Sequence, residues 1–308
     1  MTDQQDNGQQ DQRCGFVAVL GAPNAGKSTL MNEMVGSKVS IVSPKVQTTR
    51  TMVRGIAIHG DSQIIFVDTP GIFKPGKRLE RAMVNAAWTG GSESDVILLL
   101  VDASENKPGK AAYILDRLRE EECEIPVALV LNKIDKVAKQ DLLALAQKMN
   151  DVYPFARTFM TSALKADGLK EIANYLMETL PEGPWLYPED QISDMPMRLL
   201  AAEITREKLF HRLHQELPYG LTVETEEWEE FDNGDVKISQ VITVSKDSHK
   251  GMVVGKGGKQ IKHIGETSRI ELEEILEKRT HLKLFVRVKE SWQDDPEQYQ
   301  IWGLDYSS

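Results

Sequence analysis

The stretch Gly21-Ala22-Pro23-Asn24-Ala25-Gly26-Lys27-Ser28 constrains this chain more than any other part of it. It follows the apolar run FVAVL at 16–20 and precedes TLMNEMVG, which begins at Thr29. This is the G-x-x-x-x-G-K-S pattern in its meaningful setting of strand, loop and helix. Glycine reaches backbone angles closed to other residues, so successive amides turn inward and form a nest for phosphate oxygens. The helix expected near Lys27 adds its positive N-terminal end. In that geometry Lys27 reaches the β- and γ-phosphates and the Ser28 hydroxyl ligates Mg²⁺. The sequence predicts a nucleoside-triphosphate site at Gly21 to Thr29.

A chain of 308 residues with 41% hydrophobic residues has material for about two domains. Its net charge of −10 argues against a general nucleic-acid coat, although the average hides a local reversal described below. The two cysteines, Cys14 and Cys123, are far apart and lack metal-ligand spacing, which suits reduced thiols of a cytosolic protein. No apolar stretch approaches the roughly 18 residues of a membrane span. Residues 1–13 are polar and read as a disordered tail.

From residue 14 to 180, short apolar runs alternate with helical stretches, the pattern of an α/β P-loop domain with a mostly parallel sheet flanked by helices. Strands are expected at 16–20, 53–59, 63–67, 96–101, 127–131 and 158–160, and helices at 27–35, 110–122, 139–152 and 169–179. Ligands of such sheets sit at the carboxyl ends of the strands. After 63–67 comes Asp68-Thr69-Pro70-Gly71, where the carboxylate is placed to hold Mg²⁺ through a water and the Gly71 amide to approach a γ-phosphate. Alone, that tetrad reads equally as a turn. After 127–131 comes Asn132-Lys133-Ile134-Asp135. Asp135 can accept from guanine N1–H and the 2-amino group, a pair of donors adenine lacks. Lys133 can lay its stem on the base, and Asn132 can tie this loop to the phosphate loop. Thr161-Ser162-Ala163-Leu164 follows the last strand and offers backbone amides to guanine O6.

In this order the segments resemble the G domain of translation-factor-like GTPases. Gln47-Thr48-Thr49-Arg50 is similar to the first switch of the group holding the Era family and the tRNA-modifying GTPases. The resemblance implies GTP and GDP as ligands, with Mg²⁺ bound by Ser28, Asp68 and a switch threonine. Thr49 is favoured for that place; the sequence does not separate it from Thr48. Lys27, Thr49 and Gly71 make up the expected catalytic set. Ile72 occupies the place where Ras-like proteins carry a water-orienting glutamine, so slow intrinsic hydrolysis is expected. Asn24 has two readings: a ligand for K⁺, as the related GTPases imply, or a cap of the loop.

Residues 181–195 have the proline, glycine and acid content of a linker. A second unit is expected at 196–291, with a helix at 197–217, strands at 221–228 and 236–244 about a Phe231–Asp235 hairpin turn, a helix from about 266 to 280 and a strand at 282–288. The α-β-β-α-α-β order, with Gly255-Lys256-Gly257-Gly258 between the later helices, resembles an α+β type II KH domain. Such a module clamps about four nucleotides of single-stranded RNA. Val254, Gly255, Lys256, Gly257, Gly258, Lys259 and Ile261 are the candidate RNA-binding residues, and packing is the competing reading for Val254, Ile261 and Ile264. Residues 246–289 hold 11 Lys and Arg against 6 Asp and Glu, a basic unit on an acidic chain. The preceding 216–235 holds 8 acids and no Lys or Arg.

A G domain followed by a type II KH domain resembles the Era family over nearly the whole chain, including Ile204–Lys208 and Glu216–Tyr219. The resemblance implies a GTP-hydrolysing switch that binds the 3′ region of 16S rRNA and assists maturation of the 30S ribosomal subunit. It also implies a bacterial cytoplasmic location with loose inner-membrane association, and a monomer is expected. The alternative is an RNA-binding assembly factor in which GTP is mainly a structural ligand. Residues 292–308 are expected to be a tail, with aromatics that could pack on the KH sheet and no assigned function.

Overall fold

The computed structural model describes residues 12–45, 48–105, 109–213 and 220–307. Residues 1–11 of the expected tail, Gln47 of the switch, and Glu216–Tyr219 lie outside these. The chain forms two compact units. Unit 1 comprises Met1–Ser40, Thr49–Asp194 and Trp302–Ser308; unit 2 comprises Ile41–Thr48 and Met195–Ile301. The segment 41–48 therefore groups with the second unit and the chain's last residues with the first, across the boundaries the sequence suggests.

Unit 1 is a six-stranded sheet in the order β2-β3-β1-β4-β5-β6. Its strands are β1 (Arg13–Gly21), β2 (Val53–His59), β3 (Ser62–Asp68), β4 (Val96–Asp102), β5 (Val127–Asn132) and β6 (Arg157–Met160). All pairings are parallel except β2 with β3. β4 and β5 are buried along almost their full length, as uninterrupted apolar runs in the middle of a covered sheet must be. Helices α1 (Lys27–Val35), α2 (Arg78–Ser92), α3 (Gly109–Glu120), α4 (Lys139–Val152) and α5 (Leu169–Thr179) accompany the sheet. The apolar faces of α2, α3 and α4 join β1, β4 and β5 in one core through Trp88, Ile114, Leu115, Leu145 and Met149. Parallel register brings the ends of β1, β3, β4 and β5 to one edge, so Gly21, Asp68, Asp102 and Asn132 begin the loops there.

The sequence pattern assigns no helix to 78–92, where α2 forms. The helix runs through Gly90 and Gly91, where neighbours press close: a Cβ at Gly90 would meet Met52 Sδ at 3.0 Å, and one at Gly91 would meet Leu20 Cδ1 at 3.3 Å.

Unit 2 holds α6 (Met197–Arg212), β7 (Leu221–Glu230), β8 (Val236–Val244), α7 (Asp247–Val254), α8 (Lys259–Leu276), β9 (Thr280–Val288) and α9 (Pro296–Ile301). β8 is central, antiparallel to β7 and parallel to β9. Leu209, Phe210, Ile242, Val253 and Ile264 lie in its core, so Ile264 packs rather than facing a ligand. α8 begins seven residues earlier than the expected 266, directly after Gly258, and passes through Gly265. Trp292 and Tyr299 are buried in this unit; the Trp292 indole donates to Gly220 O at 3.2 Å and to Ser245 Oγ at 3.1 Å. Trp302 and Tyr306 instead belong to unit 1, not to the unit that holds the KH sheet.

Candidate nucleotide-binding site

The loop after β1 has the shape its glycines permit. Gly26 caps α1 at φ 100°, and a Cβ there would sit 2.3 Å from Asn132 Nδ2, so only glycine fits. Asn24 also takes a left-handed angle, φ 64°. Lys27 is 6% exposed and donates to Gly21 O and Ala22 O, both at 3.2 Å, across the loop where phosphate oxygens would lie. Burial pulls its pKa down to about 8 against the opposing pull of Asp68, so an arriving phosphate supplies the negative charge this ammonium lacks. Ile72 N–H donates to Gly21 O at 3.0 Å and fastens the Asp68–Gly71 turn to the phosphate loop.

Three oxygen-bearing side chains converge beside Lys27. Ser28 Oγ donates to Asp68 Oδ2 at 2.7 Å, Thr49 Oγ1 donates to the same oxygen at 3.3 Å, and the two hydroxyls are 3.0 Å apart. Burial raises the Asp68 pKa, while Lys27, Ser28, Ser40 and Thr49 oppose the rise. Asp68 Oδ1 is buried with no hydrogen-bond partner. An orphaned carboxylate oxygen next to two hydroxyls is a donor set suited to a hard, oxygen-seeking divalent cation, and Mg²⁺ fits it. The two threonines differ in geometry: Thr49 touches Ser28 and Asp68, whereas Thr48 donates to Lys45 O at 2.6 Å and pairs with Ser43 Oγ.

Asn132 joins three loops. Its Nδ2 donates to Ala25 O at 2.9 Å, and its Oδ1 accepts from Ala163 N–H at 3.0 Å and Thr161 Oγ1 at 3.3 Å. Lys133, at φ 65°, donates to Asn24 O and to Asp102 Oδ2, each at 2.6 Å. Asp135 is exposed at the rim, and its Oδ1 accepts from Ser162 Oγ at 2.6 Å. That hydrogen bond lowers its pKa, so the carboxylate is ionised and open to a base. The Leu164 side chain is 76% exposed, leaving its backbone as the part available to a ligand.

Sequence reasoning missed three contributors. Ser40 Oγ donates to Asp68 Oδ2 at 2.8 Å, and Asn32 holds Ser40 in place by accepting its N–H at 3.0 Å and donating to its carbonyl at 2.7 Å. No motif marks either residue. Asp102, the partner of Lys133, stands at the end of β4, where the rule that found Asp68 and Asn132 would have found it.

In unit 2 the Gly255–Gly258 loop turns between α7 and α8. Gly255 takes φ 71°, ψ 171°, a region reserved for glycine, and a Cβ there would lie 2.7 Å from that of Gln260. Gly257 and Gly258 are also left-handed, at φ 62° and 72°. Lys256 and Lys259 are exposed beside them, with Val254 and Ile261 half-buried. The segment Ile41–Thr48 of this unit is held by α6. Val42 N–H donates to Glu207 Oε1 at 2.7 Å, His211 Nε2 lies 3.0 Å from Val42 O, and Arg206 donates to Thr48 O. Arg206 is 1% exposed and doubly bonded to Glu203, so its position is fixed.

A sheet of this topology carrying this loop and these strand-end residues defines a P-loop GTPase, and the second unit adds an RNA-binding KH module. Family models agree: one described as a 50S ribosome-binding GTPase matches residues 16–133, and a KH domain model matches 216–293. GTPase Era of Rhizobium meliloti (strain 1021) is 60% identical over 294 residues, 96% of this chain and 93% of that protein. GTPase Era of Brucella suis biovar 1 is 56% identical over 96% of this chain and 94% of that protein. A crystal structure of Era in complex with MgGDPNP and nucleotides 1506–1542 of 16S ribosomal RNA matches with TM-score 0.90 and 39% identity, covering 95% of this chain and 99% of that one. An Aquifex aeolicus Era variant bound to GDP·AlF₄⁻ matches with TM-score 0.89 over the same shares. The chain belongs to the Era family of GTPases.

Proposed function

We propose that this GTPase is a switch whose nucleotide state governs an RNA clamp: unit 1 binds and hydrolyses GTP with Mg²⁺, and unit 2 binds the 3′ region of 16S rRNA during maturation of the 30S subunit. One observation carries the switch reading. Thr49, which touches the cation-binding oxygens, directly follows Thr48, whose carbonyl is held by Arg206 of unit 2. A change at the γ-phosphate that moves Thr49 therefore pulls on a residue fixed to the KH unit. This favours a switch over the alternative in which GTP is only a structural ligand.

In hydrolysis, Lys27 and the loop amides neutralise phosphate charge, the Gly71 amide meets the γ-phosphate, and Ser28, Thr49 and Asp68 would hold a Mg²⁺ ion, which would add positive charge against the phosphates. Asp135, Lys133 and the Ser162–Leu164 backbone select guanine. Ile72 is 1% exposed in the apolar core and supplies no water-orienting group, which accords with slow turnover. Asn24, turned left-handed at the loop tip, is the residue we assign to K⁺.

The relative crystallised with 16S rRNA supports rRNA as the partner, and the glycine loop with Lys256 and Lys259 is the surface for it. Work on the 30S subunit as a monomer in the bacterial cytoplasm, with loose attachment to the inner membrane, belongs to the same reading. No described helix is long and apolar enough to cross a membrane, so such attachment would be peripheral if it rests on helices. The test is Gly257→Asp. Gly257 has open space around it and a left-handed φ that Asp tolerates better than most residues, so the fold should survive. The new carboxylate should repel RNA phosphate, and RNA retention should fall by at least about tenfold with GTP affinity unchanged. Unchanged RNA retention would remove the loop from the interface.

A further inference from the structure

The chain returns to unit 1 at Trp302. Trp302 is 4% exposed and Leu304 is 7% exposed. The Trp302 ring lies 5.6 Å from the Arg50 guanidinium. Four residues on, Tyr306 accepts a hydrogen bond from Arg78 Nη1 at 2.8 Å and turns its ring face to that guanidinium at 4.8 Å. Arg50 follows Thr49, the threonine at the cation-binding oxygens, and is itself 1% exposed. Arg78 opens α2, the helix that continues the chain from the Asp68–Gly71 turn. The two arginines beside the two phosphate-sensing segments are thus each held by one aromatic of the same short peptide. Cation–π contact of this kind strengthens as the cation is desolvated, and Arg50 is almost wholly so.

We propose that the segment from Trp302 onward is a positioning strap for GTP hydrolysis. By fixing Arg50 and the start of α2, it keeps Thr49 and Gly71 where the γ-phosphate and its cation need them. Trp302 and Tyr306 touch neither phosphate nor cation; they act through Arg50 and Arg78. GDP lacks the γ-phosphate that Thr49 and Gly71 are placed to meet, so the strap should matter for the triphosphate and not for the diphosphate. Ile301, the last residue of α9, is bonded to Trp302, so the strap is also the covalent continuation of unit 2. The inference rests on the GTPase activity and is independent of which RNA is bound.

The test uses the full chain with Trp302→Ala, Trp302→Phe and Tyr306→Ala, and a chain ending at Ile301. Single-turnover hydrolysis is measured with the dissociation constants of GDP and a non-hydrolysable GTP analogue and with thermal unfolding. In Tyr306→Ala, which empties a half-exposed position, in Trp302→Ala and in the shortened chain, hydrolysis should slow and analogue binding weaken about three- to thirtyfold. GDP affinity should stay within about twofold. Trp302→Phe, which keeps an aromatic face under Arg50, should recover most of the loss. An unchanged ratio of analogue to GDP affinity in the folded variants would overturn the proposal. Equal loss of both nucleotides with a lowered unfolding temperature would also overturn it, since the segment would then be only part of the fold.

Discussion

Asn132→Ala removes the side chain that binds the phosphate loop to the guanine loops, and its cost can be worked out bond by bond. Asn132 is 1% exposed, and Ala25 and Ala163, whose backbone groups it satisfies, are each 2% exposed. Truncation strips Ala25 O of a donor at 2.9 Å and Ala163 N–H of an acceptor at 3.0 Å, while Thr161 Oγ1 loses a longer bond of 3.3 Å. Each buried group left unpaired costs about 1–3 kcal/mol. The hydroxyl can rotate to a new partner and a water can enter the vacated space, so a total of about 2–4 kcal/mol is expected. For a unit of this size that is a fall of about 4–16 °C in unfolding temperature. Scanning calorimetry identifies the unit 1 transition as the one that GDP raises. A shift of less than about 2 °C in that transition would refute the bond count.

Asp135→Asn sets an amide donor against a guanine donor and should weaken GTP binding about 10²–10⁴-fold while favouring xanthosine triphosphate, read by competition against a fluorescent nucleotide. Unchanged base preference would remove Asp135 from base recognition. Replacing K⁺ by Na⁺ at constant ionic strength should slow hydrolysis by wild type and leave Asn24→Ala unaffected; equal wild-type rates in both salts would withdraw the K⁺ assignment. Burial raises the Asp102 pKa, but the hydrogen bonds and charge of Lys133 and the Ser104 bonds more than reverse this, so the net shift is downward. Stability from this pair is thus present above the ordinary Asp range and lost as pH falls through the lowered folded value. Asp102→Asn should therefore be less stable than wild type at pH 7, and the gap should close as pH falls below about 4. A gap that persists in acid would mean that the cost is not one of charge.

Much of unit 1 was legible because periodicity and position carry the same message there. The uninterrupted apolar runs of β4 and β5 admit only a buried parallel strand, and the carboxyl-end rule then puts Asp68, Asn132 and Asp135 at one edge. What stayed hidden depends on tertiary neighbours. α2 runs through Gly90-Gly91, where Met52 and Leu20 press so close that a side chain would force them to shift. Ser40 reaches Asp68 across 28 positions of sequence, and only the fold creates that contact. The aromatics on either side of Gln300 look alike in sequence, yet Tyr299 is in the second unit and Trp302 in the first. A pattern of apolar residues says that a ring will be buried, not by which surface.

The central claim is that the nucleotide at unit 1 sets the grip of unit 2 on RNA, and the most direct measurement is RNA affinity as a function of nucleotide. The wild-type chain is loaded with Mg²⁺ and either GDP or a non-hydrolysable GTP analogue and titrated with an oligonucleotide of the 16S rRNA 3′ region at fixed salt. The account predicts dissociation constants that differ by about tenfold or more between the two states, and a difference that shrinks when Arg206→Lys weakens the hold on Thr48. Equal RNA affinity in both states would contradict it and leave the nucleotide as a structural ligand.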